Sequence, residues 1–368
     1  MPLAALLLIP PALGIAYTLA AAMLTKRPDD APPSLGPHAP SITILKPLHG
    51  AEPRLADNLA TFMTQDYAGP VQMICGVAHS RDPAIAAAHA AGAELVVDPR
   101  RYGSNAKVSN LVNMSAAIRG EIVVLSDSDI AVAPDYLVRV VTALGEPAVG
   151  AVTCLYAGRG DAGFWSRLAA AGIGWQFLPS VLVGLATGRA RPCMGSTIAM
   201  RRDTLDAIGG FARFADRLAD DHAIGEAVRA LGLAIAVPRM IVTHGCDEAS
   251  LAALFRHELR WAVTVRGLDP AGHLGSAITH PFPLALIALV CGAPGGWTVT
   301  VAAFAARLLL AWRSDAAAAR RSAPLALLPL RDLISFSVFL ASVVARRVEW
   351  RGSRLDVARG DRIAEARP

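Results

Sequence analysis

Cysteine is scarce in this sequence and never paired. Cys75, Cys154, Cys193, Cys246 and Cys291 stand far apart, with no CxxC among them. That spacing argues against a disulfide framework and a zinc site, and it suits a reducing compartment. Charge is thin as well. Only 18% of residues are Asp, Glu, Lys or Arg, whereas soluble domains carry about a quarter; apolar residues reach 54% and mean hydropathy is +0.42. No GxGxxG follows the first apolar strand, so the dinucleotide fingerprint is missing. Aromatics make up 6% and do not interleave with basic residues, which gives no support to a nucleic-acid partner. The net charge of +5 rests largely on Arg-rich stretches after Arg307 and near the C-terminus, a placement that suits an anionic membrane surface.

What is present is an α/β middle with apolar ends. Leu3 to Leu24 runs without charge and is long enough to cross a bilayer. Lys26-Arg27 follows it, and the positive-inside tendency then places the rest of the chain in the cytoplasm. The expectation is a multi-pass protein of the inner membrane, with an anchor at 1–25 and a Pro-rich linker at 26–40. A catalytic domain at 41–270, membrane helices at 271–345 and a basic cytoplasmic tail at 346–368 complete the division. Ala277–Cys291 and Trp297–Trp312 read as a helical hairpin. Pro324–Ala345 is interrupted by Arg331-Asp332, so it is expected to lie at the interface or re-enter rather than cross.

In the middle region strands alternate with helices, which predicts a parallel, doubly wound sheet. The strand Glu121–Leu125 leads into Asp127-Ser128-Asp129. Ligands of such sheets bind beyond the carboxyl ends of strands. Two neighbouring carboxylates repel unless a cation joins them, and a hard divalent ion bridged to phosphates does so. Asp220-Asp221 opens a helix, where the dipole favours carboxylates whatever their function. Lys107 and Asn110 either line a donor pocket or only cap their helix. His49, His79 and His244 read as loop or satisfied histidines rather than ligands. The aromatic segment 161–188 reads as a core helix or as an amphipathic helix that admits a lipid.

The order of motifs carries a resemblance: Lys46-Pro47-Leu48-x-Gly50, Asp82-Pro83-Ala84-Ile85, Asp127-Ser128-Asp129, Gly195 with Met200-Arg201-Arg202, Asp220-Asp221, and Arg260-Trp261. Over nearly the whole chain this resembles the ceramide glucosyltransferase family, glycosyltransferase family 21, and its bacterial relatives that glycosylate hopanoids. The resemblance implies a GT-A domain with a mixed, mainly parallel sheet. It also implies inverting transfer from a UDP-sugar to a lipid hydroxyl, on ceramide or a hopanoid polyol, at a bilayer. The donor contacts it implies are Asp82, Asp127, Arg260 and Trp261, to which the pocket reading adds Lys107; by the same resemblance Asp127 and Asp129 hold Mg²⁺ or Mn²⁺, and Asp221 is the general base. Trp165, Trp175 and His257 are the expected acceptor contacts. His257 stands where the family usually has Gln or Arg, and its charge varies near neutral pH. The alternatives are a processive polysaccharide synthase and an inactive membrane scaffold.

Overall fold

β1 (Ile42–Pro47) is the strand about which the sheet is laid down. In the computed structural model, which describes residues 2–27, 39–345, 347–350, 353–357 and 363–365, all six of its residues are buried. β2 (Val71–Val77) and β4 (Ile122–Leu125) flank it in parallel, and β3 (Glu94–Val97) extends the sheet beyond β2. β8 (Ile198–Arg201) then runs antiparallel to both β4 and β6 (Val149–Thr153), and β9 (Ala234–Ala236) lies parallel to β6. The order is thus β3-β2-β1-β4-β8-β6-β9. This is the mixed, mainly parallel α/β sheet expected of a GT-A domain.

The strands are short, apolar runs because both faces are covered. Ile44, Val124 and Met73 pack on one face with Leu59, Phe62 and Tyr136; Leu45, Val123 and Ile74 pack on the other with Leu111, Met114 and Ile224. Alternate residues of one strand enter opposite layers, as the pleat requires. The antiparallel pair β5 (Ile130–Ala131) and β10 (Ile241–Cys246) forms apart from the main sheet.

The chain divides into two compact units. One comprises Pro28–Tyr156 and Arg191–Asp247 and contains the main sheet; the other comprises Met1–Arg27, Ala157–Ala190 and Glu248–Pro368. β7 (Leu155–Gly160) leads from the first into the second. This partition differs from the continuous 41–270 block expected above: 157–190 and 248–270 belong with the terminal helices. Most of the expected linker, residues 28–38, lies outside the described residues. The described pieces of the expected tail, Arg347–Trp350, Ser353–Val357 and Ile363–Glu365, form a small antiparallel sheet.

In the helical unit, among the described residues, Ala4–Leu24, Phe164–Ala186 and Leu325–Val344 are long and apolar enough to cross a membrane. A bent pair, Pro270–Thr279 with Pro281–Val290, adds a fourth if read as one span. The Phe164–Ala186 helix contains a π-helical turn at Ile173–Phe177, a feature that often marks functional sites. Arg331 and Asp332 are both buried and ion-paired inside the unit, to Glu258 and Arg307 respectively. Charges so paired no longer weigh against a crossing by length and composition.

Candidate active site

The sheet unit collects its acidic residues at the carboxyl ends of β1 and β4. The β1–β4 register ends at Leu45 opposite Leu125, so Lys46 arrives beside Ser126. Its Nζ donates to Ser126 Oγ at 3.0 Å and to the Asp127 carbonyl at 2.9 Å, and it stands 3.5 Å from the centroid of the Phe62 ring. Lys46 is fully buried. Burial lowers its pKa to about 7, with Asp129 and Asp127 acting against that fall. The lysine of the Lys-Pro-Leu motif therefore fixes the backbone that carries the acidic pair.

Asn105 caps the helix Ala106–Met114 by accepting from Val108 N, and donates to Asp220 Oδ1 at 3.3 Å. The cap sets Lys107 in the first turn. Its Nζ lies 2.6 Å from Asp127 Oδ1 and 3.5 Å from Asp220 Oδ2. Burial alone depresses this ammonium, but the carboxylates of Asp127 and Asp220 outweigh it and hold the pKa above the ordinary lysine value. The cap is thus Asn105. Asn110 donates to the Gly76 carbonyl at 2.7 Å and has no part in it.

Gly195 joins the two acidic motifs. Its N–H donates to Asp221 Oδ2 at 3.1 Å, and its carbonyl accepts from Asp127 N at 3.2 Å. A Cβ here would meet Asp127 Oδ2 at 2.7 Å and Lys107 Nζ at 3.1 Å, so only glycine lets the backbone come this close. Asp221 Oδ1 accepts from His222 N at 2.7 Å. Burial and then the neighbouring Asp220 push the Asp221 carboxyl up to about 6, with Lys107 opposing. A carboxylate near that value is suited to accept a proton at neutral pH.

The Asp82 side chain is only 7% exposed and serves as a clasp. Its Oδ1 accepts from Gly50 N and Ala84 N, each at 2.9 Å, tying the loop after β1 to the start of the helix Ala84–Ala90 that follows β2. Asp129 reaches a residue that sequence reasoning set aside. Its Oδ2 lies 3.4 Å from His244 Nε2, because β5 and β10 pair Ile130 with His244. The His244 ring stacks on Tyr156 at 5.3 Å between centroids. The signal available in the sequence was the polar His244 inside an apolar strand run. Among the described residues no group of three or more His, Cys, Asp or Glu forms a metal cage of its own. A divalent cation bound with substrate phosphates needs only one or two protein carboxylates, and carboxylates suit Mg²⁺ and Mn²⁺. The residues present therefore fit such an ion. Burial pushes the Cys75 and Cys154 thiols up to about 12, which leaves them inert as nucleophiles.

The sequence profile of glycosyl transferase family 21 matches residues 6–363. The chain belongs to that family. Ceramide glucosyltransferase 1 of Caenorhabditis elegans is 25% identical over 234 residues, covering 61% of this chain and 50% of the relative. The chain thus spans about half the length of that curated relative. Among solved structures, a mannosyltransferase from Pyrobaculum calidifontis in complex with GDP-Man and Mn²⁺ is 22% identical. It covers 91% of this chain and 98% of its own, with a TM-score of 0.49. Glucosyl-3-phosphoglycerate synthase from Mycobacterium tuberculosis, in complex with phosphoglyceric acid, is 20% identical over 62% of this chain and 79% of its own, with a TM-score of 0.39.

The helical unit of this family 21 glycosyltransferase carries the remaining expected residues. His257, Arg260 and Trp261 lie on the helix Leu251–Leu268. The His257 ring nitrogen Nδ1 bonds to buried Glu248, and the ring meets Trp261 edge-on at 4.5 Å. A cavity of about 840 Å³ opens in this unit, bounded among others by Tyr17, Gln176, Glu258, Trp261, Arg331 and Phe339. That volume lies in the upper part of the range for ligand pockets, about 300–1,000 Å³. None of the three expected acceptor contacts lines it. Trp165 packs edge-on against Phe164. Trp175 is fully buried among Ala171, Ala311 and Leu328 and donates to Asp315 at 2.9 Å. His257 is held by Glu248. An indole gains most by full burial with its N–H satisfied, and that took Trp175 out of reach.

Proposed function

We propose that this chain transfers a hexose or N-acetylhexosamine from a UDP-sugar to a hydroxyl of a membrane lipid, with inversion at the anomeric carbon. The observation that carries the reading is the Gly195 junction. It holds a carboxyl raised to about 6, Asp221, and a lysine-paired carboxylate, Asp127, on one backbone residue. Asp221 accepts the proton of the lipid hydroxyl as its oxygen forms a bond to the anomeric carbon. The bond from that carbon to the UDP oxygen breaks, and its electron pair leaves on UDP. One displacement of this kind inverts the centre and needs no covalent sugar intermediate.

Lys107 holds Asp127 in place through the reaction, and Lys46 holds the Asp127 backbone. Asp129 and His244, with Asp127, are the residues that would hold Mg²⁺ or Mn²⁺. When bound, such an ion supplies positive charge to the leaving diphosphate. Arg260 and Trp261 keep the donor-binding role that their motif implies, and Asp82 the uridine contact. The apolar helices and the large cavity support a lipid acceptor in a bilayer, with ceramide and hopanoid polyols as the two candidates. The test is lipid-dependent UDP release by the full chain in detergent with Mn²⁺, using UDP-glucose and UDP-N-acetylglucosamine against both lipids. Release that requires a lipid supports the reading. The absence of lipid-dependent release with every pair overturns it.

A further inference from the structure

Glu258 and Trp261 lie one helical turn apart, and both face the cavity of about 840 Å³. Glu258 Oε2 accepts from Arg331 Nη2 at 2.7 Å, and the same nitrogen donates to Ser335 Oγ at 2.7 Å. The Arg331 side chain is only 4% exposed and that of Glu258 is 16% exposed. The pair is therefore anchored on its inner side and open on the cavity side. Glu258 Oε1 accepts no hydrogen bond among the described residues. Gly172, also on the cavity wall, makes room for the pair: a Cβ there would meet Arg331 Nη2 at 2.7 Å and Glu258 Oε1 at 3.0 Å. The π-helical turn begins at the next residue, Ile173.

A carboxylate oxygen fixed on a largely apolar wall is costly to leave without a donor. Hydrocarbon chains and ester groups bring none; a hydroxyl does. We propose that Glu258 is a specificity-determining residue, whose Oε1 accepts a hydrogen bond from a non-reacting hydroxyl of a hydroxylated lipid seated in this cavity. The proposal rests on the reading that the acceptor is a lipid, and it narrows that lipid to one with a hydroxyl besides the one that reacts. A site built to accept a hydroxyl's hydrogen bond discriminates strongly, since an analogue without the donor leaves that oxygen without a partner.

The experiment uses the full chain in phosphatidylcholine nanodiscs without UDP-sugar, so that binding is read apart from transfer. Equilibrium binding of radiolabelled 1,2-hexadecanediol is compared with that of its dimethyl ether. The wild type is expected to bind the diol about tenfold more tightly. Removal of Glu258 alone leaves Arg331 buried and unpaired, so the variant is the double apolar replacement E258L/R331M. Its preference for the diol is expected to fall below about threefold, with UDP-glucose binding unchanged as a check on folding. Equal affinities in the wild type, or an undiminished preference in the variant, overturn the proposal. A diol preference without any lipid-dependent UDP release would sink the transferase reading and leave only the contact between Glu258 and the hydroxyl standing. Transfer without a preference would do the reverse.

Discussion

Arg307 and Asp332 meet side by side inside the helical unit. Arg307 Nε donates to Oδ2 at 2.9 Å and Nη2 to Oδ1 at 2.7 Å, with each side chain 3% exposed. Arg307 Nη1 also donates to the Trp175 carbonyl at 2.9 Å. A bidentate pair so buried gains little over apolar packing, but breaking it leaves a bare charge. Arg307→Met is therefore expected to destabilise the unit by about 3–5 kcal/mol, and the double variant R307M/D332L to recover most of that loss. Thermal unfolding in detergent checks this; a double variant as unstable as the single one would show that the pair does more than neutralise itself.

Asp221→Asn removes the proton acceptor and little volume. Turnover is expected to drop by about 10²–10⁴-fold, the usual contribution of a general base, while UDP-sugar affinity stays near the wild-type value. Steady-state rates and equilibrium donor binding give the two readings. Turnover within a few-fold of the wild type would take the base role from Asp221.

The raised Asp221 carboxyl sets the acid side of the pH profile. Above about 6 it is ionised and competent; below, it is protonated, and kcat/KM should fall as pH drops. Lys107 opposes the rise, so Lys107→Met should move this acid limb to higher pH. Leaving Asp127 and Asp220 without this cation should also lower stability by roughly 3 kcal/mol, toward the low end for a broken buried pair because Asp127 is 33% exposed. An acid limb that stays put in the variant would separate Lys107 from the titration of Asp221.

Asp129→Ala and His244→Ala should each raise the Mn²⁺ concentration needed for half-maximal donor binding, by about tenfold or more. His244→Gln should fall between them and the wild type. Donor binding titrated against Mn²⁺ measures this directly. An unchanged requirement in both alanine variants would move the cation elsewhere.

Much of the sheet could be read from the chain. The strand expected at Glu121–Leu125 forms as β4, Ile122–Leu125, and Asp127-Ser128-Asp129 follows its carboxyl end as the apolar run indicates. Period and punctuation are local properties, so local sequence carries them. From its own strand His244 reads as an ordinary histidine, because nothing there points to Asp129; only the β5–β10 pairing supplies that neighbour. Trp175 looked like a lipid contact because aromatic residues mark both cores and binding sites, and Asp315, which fixes its indole, is 140 residues away.

By itself the sequence determined the kind of chain this is: apolar stretches before and after an alternating α/β region, with ordered acidic motifs and an Arg-Trp pair that place it in family 21. Tertiary structure decided which charges face one another. It set Lys107 on Asp127, Gly195 between Asp127 and Asp221, and Arg331 on Glu258. The physical reason is range. Propensity and hydropathy act over a few residues, whereas the pairing of a buried charge depends on whichever side chain the fold brings within about 4 Å.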